Sequence, residues 1–209
     1  MNSTTRGRRL AALAAVAALG IAAVPAGAVA PQVPPSHQRA ATAGIIAGLP
    51  TTSSYCGIVW GSLGRSNGTS HTTGTVDDVR SGRHACYDRL VVDVDEVPGT
   101  LTYDVRYVDT VREDGSGRAV RLEGGAKLRV ILRAPAYTAG GQATYRPADK
   151  ANLVDVDDYR TLRQVAWAGS FEGQSTVGVG VRARLPFRVL VLDGPGDGAR
   201  LVIDVAHGW

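Results

Sequence analysis

Near the end of the chain runs Arg200-Leu201-Val202-Ile203-Asp204-Val205, which repeats, with one change, the earlier stretch Arg89-Leu90-Val91-Val92-Asp93-Val94. Both are short, rich in β-branched residues, and carry aspartate in the fifth place. β-Branched side chains fit a pleated surface, and in an extended chain successive side chains point to opposite faces. Leu90, Val92 and Val94 therefore share one face, as do Leu201, Ile203 and Val205. Burying such side chains stabilises by roughly 1.5–3 kcal/mol each before entropy is subtracted. The two stretches are expected to open and close one β domain as core-building strands, with Asp204 pointing outward.

Between them, period two dominates. Leu101, Tyr103, Val105 and Tyr107 alternate with polar neighbours; so do Leu128, Val130 and Leu132, and Val177, Val179 and Val181. Phe187 to Leu192 is apolar on both faces, which predicts a central strand. Turn signals separate these runs: Pro98-Gly99, Asp114-Gly115-Ser116-Gly117, Gly124-Gly125, Gly140-Gly141 and the stretch from Asp193 to Gly198. The pattern predicts an all-β fold, a β-sandwich or open barrel of about eight to nine short, mostly antiparallel strands. One helical turn is expected at Asp157–Leu162, where acids stand in a first-turn position. Gly178 and Gly180 share a strand face, which calls for something flat against it, such as Trp167.

The front of the chain reads as an address. Arg6, Arg8 and Arg9 precede an apolar run from Leu10 to about Ala23, and Ala28-Val29-Ala30 is a small-residue cleavage site. Residues 1–30 are thus expected to be a signal peptide cleaved near Ala30, by the general or the twin-arginine route, with no membrane span in the mature chain. Residues 31–54, with Pro31, Pro34, Pro35 and Pro50, read as a flexible linker, and 55–209 as the domain. The precursor has 23 basic and 19 acidic residues; residues 1–30 hold three arginines and no acid, which leaves a net charge of +1. A near-neutral chain gives no support for nucleic-acid binding. Cys56 and Cys86 are the only cysteines. Outside the cytoplasm such a pair is most simply a disulfide closing the polar stretch between them.

Catalytic patterns are absent or incomplete. Gly169-Ser170-Phe171-Glu172-Gly173 has the wrong spacing for a nucleophile elbow. His37, His71, His84 and His207 form no metal-binding motif, and Asp155, Asp157 and Asp158 lack the glycine and glutamate of a calcium loop. No metal and no cofactor is expected. Asp93 and Asp95 fall on one outward face, as an ordinary polar surface would place them. What remains is arginine and aromatics: Arg106, Tyr107, Arg112, Arg160, Arg163, Arg182, Arg184 and Arg188. Guanidinium forks bind carboxylate and phosphate, and flat rings stack on sugars. Arg106, Tyr107, Arg112, Arg182, Arg184 and Arg188 are the candidate binding residues, with Arg106, Arg182, Arg184 and Arg188 expected on one face.

These residues resemble a known family. Tyr87–Val92, Tyr103–Val108 followed by Arg112–Gly117, Leu128-Arg129-Val130, Gly169–Gly173, Pro186–Val189 and Arg200–His207 together resemble the AMIN-like secreted and lipoprotein domains of actinobacteria. These are relatives of the AMIN modules of cell-wall amidases and pilus secretins. The resemblance spans about Tyr87 to His207. It implies a β-sandwich without catalysis, secreted or wall-associated, with a cell-wall polymer such as peptidoglycan as partner. The anchoring cysteine of the lipoprotein relatives has no counterpart beside the cleavage site. A monomer is expected. Two alternatives stand beside this reading: a small hydrolase using His84 or His207, and an envelope-protein interaction module working through an exposed strand.

Overall fold

The computed structural model of the protein describes residues 54–209. The expected signal peptide and nearly all of the expected linker lie outside the described residues. Eleven strands are present: β1 (Ser54–Tyr55), β2 (Ile58–Val59), β3 (Arg65–Ser66), β4 (Thr75–Arg83), β5 (Tyr87–Asp95), β6 (Tyr103–Val108), β7 (Ala126–Leu132), β8 (Leu162–Phe171), β9 (Gln174–Val181), β10 (Phe187–Asp193) and β11 (Ala199–Ala206). They form a four-stranded sheet ordered β10-β11-β5-β4, a five-stranded sheet ordered β3-β6-β7-β9-β8, and the small hairpin β1-β2. Every pairing is antiparallel and the sheets do not close into a barrel. The fold is an all-β sandwich with no helix among the described residues, and none there is long and apolar enough to cross a membrane.

The two echoed stretches are hydrogen-bonded neighbours. β5 and β11 pair so that Leu90 faces Ile203 and Val92 faces Leu201, all of them buried. An arginine-first, aspartate-fifth stretch paired antiparallel with its own echo sets each arginine opposite the other's aspartate: Arg89 with Asp204, and Arg200 with Asp93. The inner face of this sheet meets Val105, Leu128, Val130, Leu132, Val177, Val179 and Val181 of the five-stranded sheet in one core.

Four expectations are corrected. Asp157–Leu162 forms no helical turn. Asp157 and Asp158 lie in a hydrogen-bonded turn, and the N–H groups of Thr161 and Leu162 donate to the Asp88 carboxylate instead of to carbonyls one helical turn back. Phe187–Leu192 belongs to an edge strand, not a central one. Its inner face (Phe187, Val189, Val191) packs on the core, while Leu192 on the other face is 42 % exposed.

The cover over Gly178 and Gly180 is the crossing segment 111–123, not Trp167, which lies on the core side. A Cβ on Gly178 would stand 3.0 Å from Leu122, and one on Gly180 would stand 2.1 Å from the Glu123 carbonyl oxygen. Asp204 does lie on the outer face, but it is fully buried. The β1-β2 hairpin and Trp60 fold over it, held by the Cys56–Cys86 disulfide and by Phe187 N–H donating to the Gly61 carbonyl at 2.7 Å. The disulfide is as the sequence predicts.

Candidate functional site

The five candidate arginines divide among five places. Arg106 lies on the outer face of the five-stranded sheet, where its guanidinium forks onto Asp104, which also accepts from Arg129 at 3.3 Å. Arg188 lies on the outer face of the other sheet. Its Nε donates to Asp204 at 2.7 Å, and its guanidinium stands 5.4 Å over the Trp60 ring and 5.3 Å over Tyr87. Arg112 donates to the Gly117 carbonyl at 3.0 Å inside its own loop. Arg182 donates to the His207 carbonyl at 2.9 Å. Arg106 and Arg188 thus face opposite sides of the sandwich, each already holding a carboxylate.

Tyr107 and Arg184 are brought together. Tyr107 ends the alternation of β6 on the core side, edge-on to Phe187 at 5.6 Å. Its hydroxyl donates to the Leu185 carbonyl at 2.8 Å and accepts the Leu185 N–H at 3.2 Å. Burial pushes the phenol up to about 12, against small opposing effects of that carbonyl bond and of Arg184. The Leu185 bonds tie the β9–β10 link to β6 and set the Arg184 guanidinium 5.1 Å from the Tyr107 ring centroid. A cation over an aromatic face is attracted by the ring quadrupole.

A cavity of about 380 Å³ opens beside this pair, lined also by Asp109, Gly124, Gly125 and Lys127. The two glycines are required by close approach. A Cβ on Gly124 would stand 2.4 Å from the Val181 carbonyl oxygen, and one on Gly125 would stand 2.6 Å from that of Arg182. Lys127, one of two lysines in the chain, donates to the main-chain carbonyl of Asp109 at 3.0 Å. Among the described residues neither Arg184 nor Lys127 enters an ion pair. The notch offers two cations against one carboxylate, with an aromatic floor, and its chemistry is that of anion capture. Sequence reading passed over Lys127, although a lysine two residues after a glycine pair and at the second position of a strand was the available signal.

The histidines are placed otherwise. His84 stacks on Tyr87 at 4.5 Å. His207 Nε2 lies 3.0 Å from Asp88 Oδ1, with the histidine side chain 5 % exposed and the aspartate 1 %. The Thr161 hydroxyl donates to Asp88 Oδ2 at 2.6 Å and not to the histidine. Burial alone would push the Asp88 carboxyl up; bonds from the Thr161 hydroxyl, His207 and the Thr161 and Leu162 N–H groups outweigh it and hold the carboxyl below its ordinary range. This is a closed clasp between β5, the start of β8 and the chain end. Among the described residues no group of three or more His, Cys, Asp or Glu is placed to hold a metal ion.

No curated protein and no solved structure matches the chain. Residues 74–207 match the AMIN-like domain, a family of non-catalytic cell-envelope modules. The match begins at Gly74, ahead of the stretch at Tyr87, and so takes in β4 with the rest of the four-stranded sheet. It spans more than half of the sequence and nearly all of both large sheets: the chain belongs to the AMIN-like domain family.

Proposed function

We propose that the protein is exported and that its domain associates with anionic groups of a cell-wall polymer, peptidoglycan or the anionic chains attached to it, through the notch of Tyr107, Lys127 and Arg184. One observation carries this reading: Arg184 is held over an aromatic ring beside Lys127, in an open cavity, with neither cation spent on a carboxylate. The disulfide and the family support the compartment. An envelope module without catalysis needs retention on the wall, and a preset pair of cations supplies it, since Arg184 loses less rotamer freedom on binding when the Tyr107 ring already positions it.

The test is sedimentation with purified wall. Arg184→Ala and Lys127→Ala each lower the bound fraction, most strongly at low salt, where the screening length is about 30 Å at 0.01 M against about 8 Å at physiological salt. Wall stripped of attached anionic polymer separates phosphate from peptide carboxylate as the ligand. Equal binding by the wild type and both variants at every salt concentration would overturn the proposal.

A further inference from the structure

Among the described residues, the edge of β10 is open along most of its length. Phe187 N–H points away from β11, to the Gly61 carbonyl. By the alternation of an antiparallel strand, Val189 and Val191 point their N–H and C=O groups to that same outer side, while Arg188, Leu190 and Leu192 bond to β11. Among the described residues the Val189 and Val191 edge groups have no main-chain partner. Exposed edges are a template for another strand, and proteins ordinarily blunt them with charge, proline or a covering segment. Here the strand, Phe187–Asp193, has no proline, and its two charges lie near its ends, Arg188 bound to Asp204 and Asp193 at the last position. The core beneath is open as well: Val189 and Val191 face inward but are only partly buried.

Beyond the far end of β10 lies a cleft of about 890 Å³. Its apolar lining includes Val97, Leu101, Val191 and Leu192, and its charged residues are Glu96, Asp193 and Asp197, with no arginine or lysine. None of those three carboxylates enters an ion pair among the described residues. Arg200 donates to the main-chain carbonyl of Asp193 and not to its carboxylate.

We propose that the β10 edge docks an extended strand of another polypeptide, one with alternating apolar residues along Val189–Val191 and lysine or arginine at the end overlying the acidic cleft. Main-chain bonds to the edge give the affinity, and the cleft selects the sequence. The charge argues for this occupant. A second copy would bring its own β10, whose cation Arg188 is bound to Asp204 on the outer face and cannot serve the cleft. A glycan brings no cation to the three carboxylates and no alternating row of N–H and C=O groups to the edge. The surface is separate from the cationic notch, so the two readings stand or fall apart.

The experiment uses the purified protein and two fluorescein-labelled peptides, KKTVTVTV and EETVTVTV, read by anisotropy and by amide hydrogen exchange. The lysine peptide binds at least about tenfold more tightly than the glutamate peptide and slows exchange at Val189 and Val191. Val191→Pro, which removes an outward N–H without touching the β11 ladder, weakens binding and leaves wall sedimentation at the wild-type level. The double variant Asp193→Lys, Asp197→Lys reverses the peptide preference; it carries the test alone if the proline variant does not fold. Equal binding of the two peptides, no binding at millimolar peptide, or protection confined to other strands would overturn the proposal. So would a dimer by sedimentation that Val191→Pro dissolves, since the edge would then belong to a second copy.

Discussion

Arg89 in the first echoed strand and Asp204 in the second form a cross-strand pair, with Arg89 Nε 2.6 Å from Asp204 Oδ1 and Nη2 2.9 Å from Oδ2. The fork is bidentate, and Arg188 adds a third bond to the same carboxylate at 2.7 Å. The aspartate is fully buried, while its two arginines keep about a quarter of their side-chain surface. The mirrored position differs: Arg80, from the adjacent strand, takes Asp93 at 2.7 Å, and Arg200 turns to the Asp193 carbonyl.

Removing the Asp204 carboxylate leaves two guanidiniums facing each other under Trp60. Asp204→Ala is expected to destabilise by about 3–5 kcal/mol, the usual result of breaking a buried ion pair from one side. Urea denaturation gives the value. A loss under about 1 kcal/mol would mean that both arginines reach water unaided.

Acid acts through Asp88. Its folded pKa is depressed, so its contribution is fully present above the unfolded carboxyl value near ~3.9 and is lost as pH falls through the lower folded value. Urea midpoints from neutral pH down to about pH 3 should fall in the wild type and fall less steeply in Asp88→Asn. Parallel curves would assign the acid sensitivity to other groups.

Reduction frees the hairpin. The Cys56–Cys86 bridge spans 30 residues of polar chain, and loop-closure entropy for that length gives about 3–4 kcal/mol. The double variant Cys56→Ser, Cys86→Ser should lose that stability. Trp60 emission should shift to the red as the ring leaves its fully buried seat. Unchanged emission would show that the Gly61–Phe187 bond and the packing of Trp60 against Arg188 and Tyr87 hold the hairpin without the bridge.

The crossing segment sets a graded cost on β9. Gly180→Ala drives a methyl into the Glu123 carbonyl, which is backbone and cannot turn aside, and should cost about 1–3 kcal/mol by overpacking. Gly178→Ala meets the flexible end of Leu122 and should cost less. Thermal melts of the two variants decide the order; the reverse order would mean that the segment moves as a unit.

The sequence was most legible where one face is core and the other polar. β5, β6 and β7 show that alternation; β9 and β11 keep the period on their core face, although their other face is buried as well, under the crossing segment and the hairpin. The echo and family motifs lie in the same places. β4 and β8 were hidden for a common reason: both are bulged. β4 shifts register between Val76 and Asp78, across the adjacent acids Asp77 and Asp78. β8 shifts twice, at Leu162/Gln164 and Trp167/Gly169, so its buried residues fall out of period two. β10 reads as central because apolarity on both faces looks the same whether a strand is covered by its own chain or left open. The arginines were legible as a class but not individually. Whether a guanidinium is spent on Asp104 or Asp204, or left over an aromatic ring, depends on register and on the β9–β10 link, which composition does not carry.

The clasp at the chain end has a mechanical consequence. His207 N–H bonds the Cys86 carbonyl, and Ala206 lies opposite Tyr87 as the last rung of the β5–β11 ladder. The disulfide gives tension applied at Ser54 a covalent shortcut to Cys86, one residue before that rung. Stretching the domain between Ser54 and Trp209 therefore loads both central strands at the same end. Their hydrogen bonds open in sequence, like a zipper, and not together in shear. Held by its two ends, the sandwich yields rung by rung from the terminus where the chain closes.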